Sequence, residues 1–120
     1  MSSIYQEIIL EHWKRPHNYG RIKSPSKKTS VHNPSCGDRL KLEILFNRGK
    51  VKEAKFTGQG CAISQASASL LTDHVKGKKA ADLEKINQKT IIKLLGVEIG
   101  PARQRCALLS LEALKKIIEK

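Results

Sequence analysis

Apolar residues at Ile4, Tyr5, Ile8, Ile9 and Trp13 recur at helical spacing. Ser3 and Gln6 have the form of a capping box ahead of them, and Pro16 closes the element, so the spacing predicts a first helix. Residues 17–28, with Gly20, Pro25 and several Ser and Lys, read as a mobile loop, and residues 29–33 as a short strand. Leu40, Leu42, Ile44 and Phe46 then alternate with Lys41, Glu43 and Leu45, the pattern of a half-buried strand. Asn47-Arg48-Gly49 turns the chain and residues 51–57 return as its hairpin partner. The break in alternation between Val51 and Ala54-Phe56 predicts a bulge near Lys52-Glu53. Beyond Gly58-Gln59-Gly60 the period becomes helical. Ile63, Ala66, Leu70 and Val75 follow one stripe that ends near Gly77. Residues 81–86 and 90–95 read as two short helices, and Gly100-Pro101 opens a final helix with Ala107, Leu111, Leu114 and Ile118 on one face. Strands and helices are segregated along the chain, which predicts an α+β layer arrangement in a single domain over residues 1–120.

Composition fits that picture. The chain has 120 residues, 39% hydrophobic and 28% charged, within the range of a globular core. No apolar run approaches the roughly 20 residues of a membrane-spanning helix. The first residues lack the basic-then-apolar layout of a secretory signal, and Glu7 and Glu11 disfavour a transit peptide, so a cytoplasmic protein is expected. The net charge of +12 invites a nucleic-acid reading. That reading ranks last here, because the basic residues are spread along the whole chain and aromatics, the stacking platforms for single strands, are only 4%. A Lys-rich solvated surface, or a docking face for an acidic protein, accounts for the charge better.

The chemistry lies with three cysteines. Cys36, Cys61 and Cys106 are odd in number and widely spaced, unlike a disulfide framework. Cys36 sits in the turn Asn33-Pro34-Ser35-Cys36-Gly37-Asp38, where Asp38 could share a metal with it or merely satisfy its own turn. Cys61 opens a helix rich in small residues, where the helix dipole favours thiolate, although tight packing alone would also suit a cysteine there. Cys106 would ordinarily be a packing residue, but Arg103 and Arg105 flank it, and cationic neighbours favour thiolate. Three thiolates supply three of the four ligands wanted by tetrahedral Zn²⁺ or an iron–sulfur cluster, and Asp38 is the best candidate for the fourth. Such a site carries excess negative charge, which Arg39, Arg103 and Arg105 could offset. His12, His17, His32 and His74 are weaker ligand candidates, better explained as surface or core histidines.

Asn-Pro-Ser-Cys-Gly-Asp at 33–38, Gly-Gln-Gly-Cys-Ala-Ile-Ser at 58–64 and Pro-Ala-Arg-Gln-Arg-Cys-Ala at 101–107 together resemble the U-type iron–sulfur assembly proteins, IscU, SufU and the N-terminal domain of NifU. The stretch Leu-Glu-His-Trp-Lys-Arg-Pro-His-Asn-Tyr-Gly at 10–20 is similar to their first-helix signature. The resemblance implies a small antiparallel three-stranded sheet packed against several helices, of the SufE/NifU-like kind. It also implies a site of Cys36, Asp38, Cys61 and Cys106 that holds iron, as a nascent [2Fe–2S] cluster, or Zn²⁺. The partners it implies are a cysteine desulfurase as sulfur donor and apo iron–sulfur proteins as acceptors, with Cys106 or Cys36 as the sulfur acceptor. The expected role is a scaffold, the alternative a zinc-dependent sulfurtransferase, and the third reading a basic nucleic-acid-binding domain. IscU-type proteins commonly carry His before the last cysteine and a Leu-Pro-Pro-Val-Lys segment read by a dedicated Hsp70 chaperone. Here Arg105 and Ile99-Gly100-Pro101-Ala102-Arg103 stand in those places, so no such chaperone is expected. These changes are SufU-like, whereas the 44 residues between Cys61 and Cys106 leave no room for the usual SufU insertion.

Overall fold

The computed structural model describes residues 3–34, 37–97 and 99–119. The elements run α1 (Ser3–Lys14), β1 (Lys27–Asn33), β2 (Asp38–Asn47), β3 (Lys50–Gln59), α2 (Ala62–Val75), α3 (Ala80–Leu83), α4 (Gln88–Leu95) and α5 (Pro101–Glu119). The three strands form one antiparallel sheet in the order β1-β2-β3. This is the α+β fold expected from the pattern. Pro101 stands at the first position of α5, where its missing N–H costs nothing.

The β2–β3 hairpin closes on Arg48 and Gly49, both at positive φ (56° and 78°), as a two-residue hairpin loop requires. The register shifts between Leu45 and Phe46: Leu45 faces Glu53 and Phe46 faces Val51, leaving Lys52 as the extra, bulged residue. Leu40, Leu42, Ile44, Val51, Ala54 and Phe56 line the sheet face that packs on the helices and form its core with Leu71, Leu95, Leu109 and Leu114.

α2 runs through the centre of the helical layer, and residues 64–69 are buried on every side. Apart from Gln65 these residues are small, which permits close packing, but the serine hydroxyls must then find partners. Ser67 Oγ donates to the Ala107 carbonyl at 2.6 Å and lies 3.0 Å from Ser110 Oγ, tying α2 to α5. Ser69 Oγ accepts the His17 backbone N–H at 2.7 Å and shares a second hydrogen bond with His12 Nδ1 at 2.6 Å.

Two expectations need correction. Residues 17–28 are not a loose loop. Phe56 N–H donates to Asn18 O (3.0 Å) and Gly20 N–H to Phe56 O (2.9 Å), so the segment pairs along the β3 edge. It then crosses the sheet, and Ser26 N–H donates to Ile44 O at 2.9 Å. The same crossing corrects the strand reading, because Glu43, on the face opposite the helices, is only 2% exposed. Its carboxylate accepts the Ile22 N–H at 2.7 Å and lies within 4 Å of Arg21 and Lys41. Strand alternation marks which face a residue takes; it carries no information about a distant segment folding over that face.

Candidate metal centre

Antiparallel pairing brings the start of β2 beside the end of β3: Arg39 faces Gln59, so Asp38 and Cys61 flank the same sheet end. Cys106, in the second turn of α5, reaches the same point because α5 packs against both α2 and the sheet. The ligand atoms of Asp38, Cys61 and Cys106 all lie within 4.8 Å of one another. A tetrahedral ion with bonds of about 2.0–2.3 Å sets its ligands about 3.3–3.8 Å apart, so only small side-chain movements would let these three atoms share one ion. One hard carboxylate and two soft thiols suit zinc or iron–sulfur chemistry and not a hard cation such as calcium. Cys36, the fourth residue of the expected set, lies outside the described residues.

Asp38 (3% exposed) and Cys106 (5%) are buried, while Cys61 is half-buried and forms the accessible side of the group. Asp38 holds the geometry together. Its Oδ1 accepts the Cys61 backbone N–H at 3.2 Å, and its Oδ2 lies 3.9 Å from Cys61 Sγ. Cys61 is the N-cap of α2, but its side chain makes no capping bond, so a carboxylate from β2 supplies the acceptor that the helix start needs.

Two glycines make room for this approach. A Cβ on Gly58, which has φ 154°, would lie 2.1 Å from the Arg39 carbonyl oxygen. A Cβ on Gly60 would lie 2.4 Å from Ser64 Oγ and 2.7 Å from Asp38 Oδ1. The Gly-Gln-Gly spacing therefore serves backbone contact with β2 first and side-chain contact with the carboxylate second.

The three arginines are exposed and spread out. Arg39 faces His32 across β1–β2, beside a hollow on the outer sheet face, while Arg105 borders a groove with His32 and Asn33. Arg103 edges an apolar hollow formed with Ile9, Leu10, Ile63, Val97 and Ile99.

A polar cluster that the sequence did not announce lies behind the site, at the far end of α2. His17 Nδ1 meets Asp73 Oδ2 at 2.6 Å, Asn18 Nδ2 donates to Asp73 Oδ1 at 2.8 Å, and the His12 and His17 rings lie 4.4 Å apart, tilted 46° to each other. Lys76 donates to Asn18. Burial, and then the charge of His17, push His12 below its ordinary pKa; burial, and then Lys78, do the same to His74. Burial works to raise Asp73, but its bonds to His17 and Asn18 and the charges of His17 and Lys76 outweigh it and hold it below the carboxylate range. The motif at 10–20 is thus a lock between α1, the crossing segment and α2, with His12 a satisfied buried histidine.

The sequence profile of the NifU-like N terminal domain family matches residues 4–120. Over a 137-residue alignment covering all of this chain and 92% of the relative, the chain is 36% identical to the zinc-dependent sulfurtransferase SufU of Bacillus subtilis. It is 33% identical, over 100% of this chain and 86% of the relative, to the iron–sulfur cluster assembly scaffold protein IscU of Streptococcus pyogenes. Both alignments are longer than this chain, so each relative carries residues with no counterpart here. Among solved structures, a Fervidobacterium islandicum AW-1 protein provisionally named as an iron–sulfur cluster assembly scaffold of the SUF system superposes with a TM-score of 0.82 at 30% identity, over 97% of each chain. The fold, the sequence match along nearly the whole chain and the clustered aspartate and cysteines agree: the protein belongs to the NifU-like N-terminal domain family.

Proposed function

We propose that this protein is an iron–sulfur cluster assembly scaffold. It receives sulfur from a cysteine desulfurase, assembles iron and sulfide on Cys36, Asp38, Cys61 and Cys106, and passes the cluster to apo-proteins. The observation that carries this reading is the convergence of Asp38, Cys61 and Cys106 within 4.8 Å. Sulfur arrival is an exchange reaction: a scaffold thiolate attacks the outer sulfur of the desulfurase persulfide, a new S–S bond forms, and the desulfurase thiolate leaves, with no net change in electrons. Release of that sulfur as sulfide takes two further electrons per sulfur, which an external reductant such as a small thiol supplies as it is oxidised to its disulfide. Cys36 and Cys106 are the candidate acceptors. Arg39, Arg103 and Arg105, all exposed, would offset the site's negative charge as partners approach.

A second reading, a zinc-dependent sulfurtransferase, is favoured by the 36% identity to the protein of that name and by Arg105 before the last cysteine. Zn²⁺ would be held by the same residues and would keep the thiols ionised.

Anaerobic incubation with a cysteine desulfurase, cysteine and ferrous iron, assayed before and after addition of a thiol reductant that converts persulfide to sulfide, separates the two. The scaffold reading expects visible cluster absorption on the chain that transfers to an apo-ferredoxin. Protein-bound persulfide on a zinc-loaded chain, with no absorption, would replace it with the sulfurtransferase reading.

A further inference from the structure

At the end of the sheet opposite the cysteines, two turns are clamped together. Val51 N–H donates to Lys78 O (2.9 Å), Gly77 N–H to Val51 O (2.8 Å) and Ala80 N–H to Gly49 O (3.0 Å). The hairpin tip and the segment after α2 thereby present Arg48, Lys50, Lys52, Lys78 and Lys79 on one rigid knob. None of the five forms an ion pair among the described residues.

Folding alone would not choose these residues. Lys50 and Lys79 are direct cross-strand partners in an antiparallel bridge, where like charges destabilise. Arg48 occupies a left-handed turn position, φ 56°, that asparagine or glycine fills at less cost. Local choices that oppose stability mark positions kept for another purpose. The field of the knob is felt nearby, since the charge of Lys78 helps depress His74.

We propose that this knob is a docking surface for an acidic protein partner, independent of what the metal centre binds. Charge complementarity argues for that occupant. Four of the five cations are lysines, point charges that match scattered carboxylates and lack the fork with which arginine grips phosphate. No aromatic residue lies in 47–52 or 76–80 to stack on a base. Each intervening strand has ten residues, so the knob stands about 30 Å from Asp38 in a molecule 40 Å long. A partner held there leaves the cysteine end open to a second protein.

The test is an NMR titration of the isotope-labelled full chain with a short poly-glutamate peptide and, separately, a short DNA duplex at equal charge. Peptide-induced shifts centred on 47–52 and 77–80 are expected. The triple variant Arg48→Glu, Lys50→Glu, Lys79→Glu should weaken peptide binding at least about tenfold. The control triple Lys89→Glu, Lys93→Glu, Lys116→Glu, on α4 and α5, should weaken it far less. Lys50→Glu alone should raise Tm by removing the like-charge pair. Shifts spread over other faces, equal losses in both triples, or tighter binding of the duplex at these residues would each overturn the proposal.

Discussion

Asp38 and Cys61 come from different elements, yet the carboxylate accepts the Cys61 backbone N–H at 3.2 Å while its second oxygen faces the thiol at 3.9 Å. One side chain therefore both caps α2 and offers a metal ligand. Asp38→Ala should lose about 1 kcal/mol through the missing acceptor, a few degrees in Tm, whereas Asp38→Asn should keep most of it. Carboxylate is a harder and weaker ligand than thiolate for iron–sulfur chemistry, so on the proposed scaffold function Asp38 would be the ligand that makes a bound cluster labile. Both variants should slow cluster transfer to an apo-ferredoxin, followed by circular dichroism. Transfer at an unchanged or higher rate would remove that role from Asp38.

Gly60 can be tested without touching a ligand. Its Cβ would collide with Ser64 Oγ and Asp38 Oδ1, whereas nothing lies within 4 Å of a Cβ at Gly100. Gly60→Ala should weaken metal binding about tenfold or more by displacing the carboxylate, and Gly100→Ala should leave affinity near wild type. Competition with a chromophoric zinc chelator reads both.

How much of this was legible in the sequence depended on whether a feature was local. The bulge at Lys52 showed in the broken alternation between Val51 and Ala54, and the start of α5 in Gly100-Pro101, because such signals lie within a few residues of what they determine. The metal group was legible as residue types, while its assembly needed the Arg39–Gln59 register and the packing of α5 on α2. The burial of Glu43 was not legible, since it depends on a segment about twenty residues earlier donating the Ile22 N–H. His12 likewise read as one more histidine until α2 brought Ser69 to its ring.

Glu43 should be the most sensitive charged position outside the metal group. Removing a buried carboxylate that receives a backbone N–H and faces two cations strands those groups. Arg21 is largely solvated, so the loss from Glu43→Ala should fall near the low end of buried pairs, about 2–3 kcal/mol. Hydrogen exchange should quicken first at residues 20–26. Unchanged exchange there would mean that the crossing segment is held by its edge pairing alone.

The depressed histidines give the fold a pH dependence of defined sign. His12 and His74 take up protons less readily in the folded chain than in the unfolded one, so stability is fully present above about pH 6.5 and falls as pH drops below it. Asp73, depressed in the folded state, contributes above about pH 3.8 and loses that contribution at still lower pH. Metal-free protein should therefore melt at lower temperature at pH 5.5 than at pH 7.5, and His12→Asn should flatten that difference. A Tm rising on acidification would contradict the burial of these rings.

Thiol access follows the same geometry. Cys61 is half-buried and Cys106 almost wholly enclosed, so in metal-free protein iodoacetamide should label Cys61 before Cys106. Bound metal should protect both. Peptide mass mapping over a time course reports the order, and faster labelling of Cys106 would show that the start of α5 opens readily.

The most direct test is to count iron, acid-labile sulfide and zinc per chain after anaerobic purification and reconstitution, in wild type and in Cys61→Ser and Cys106→Ser. The account predicts iron and sulfide in equal amounts on the wild-type chain, with both substitutions abolishing them. Wild-type protein that retains no metal, or variants that retain as much as wild type, would show that Asp38, Cys61 and Cys106 do not form one binding centre.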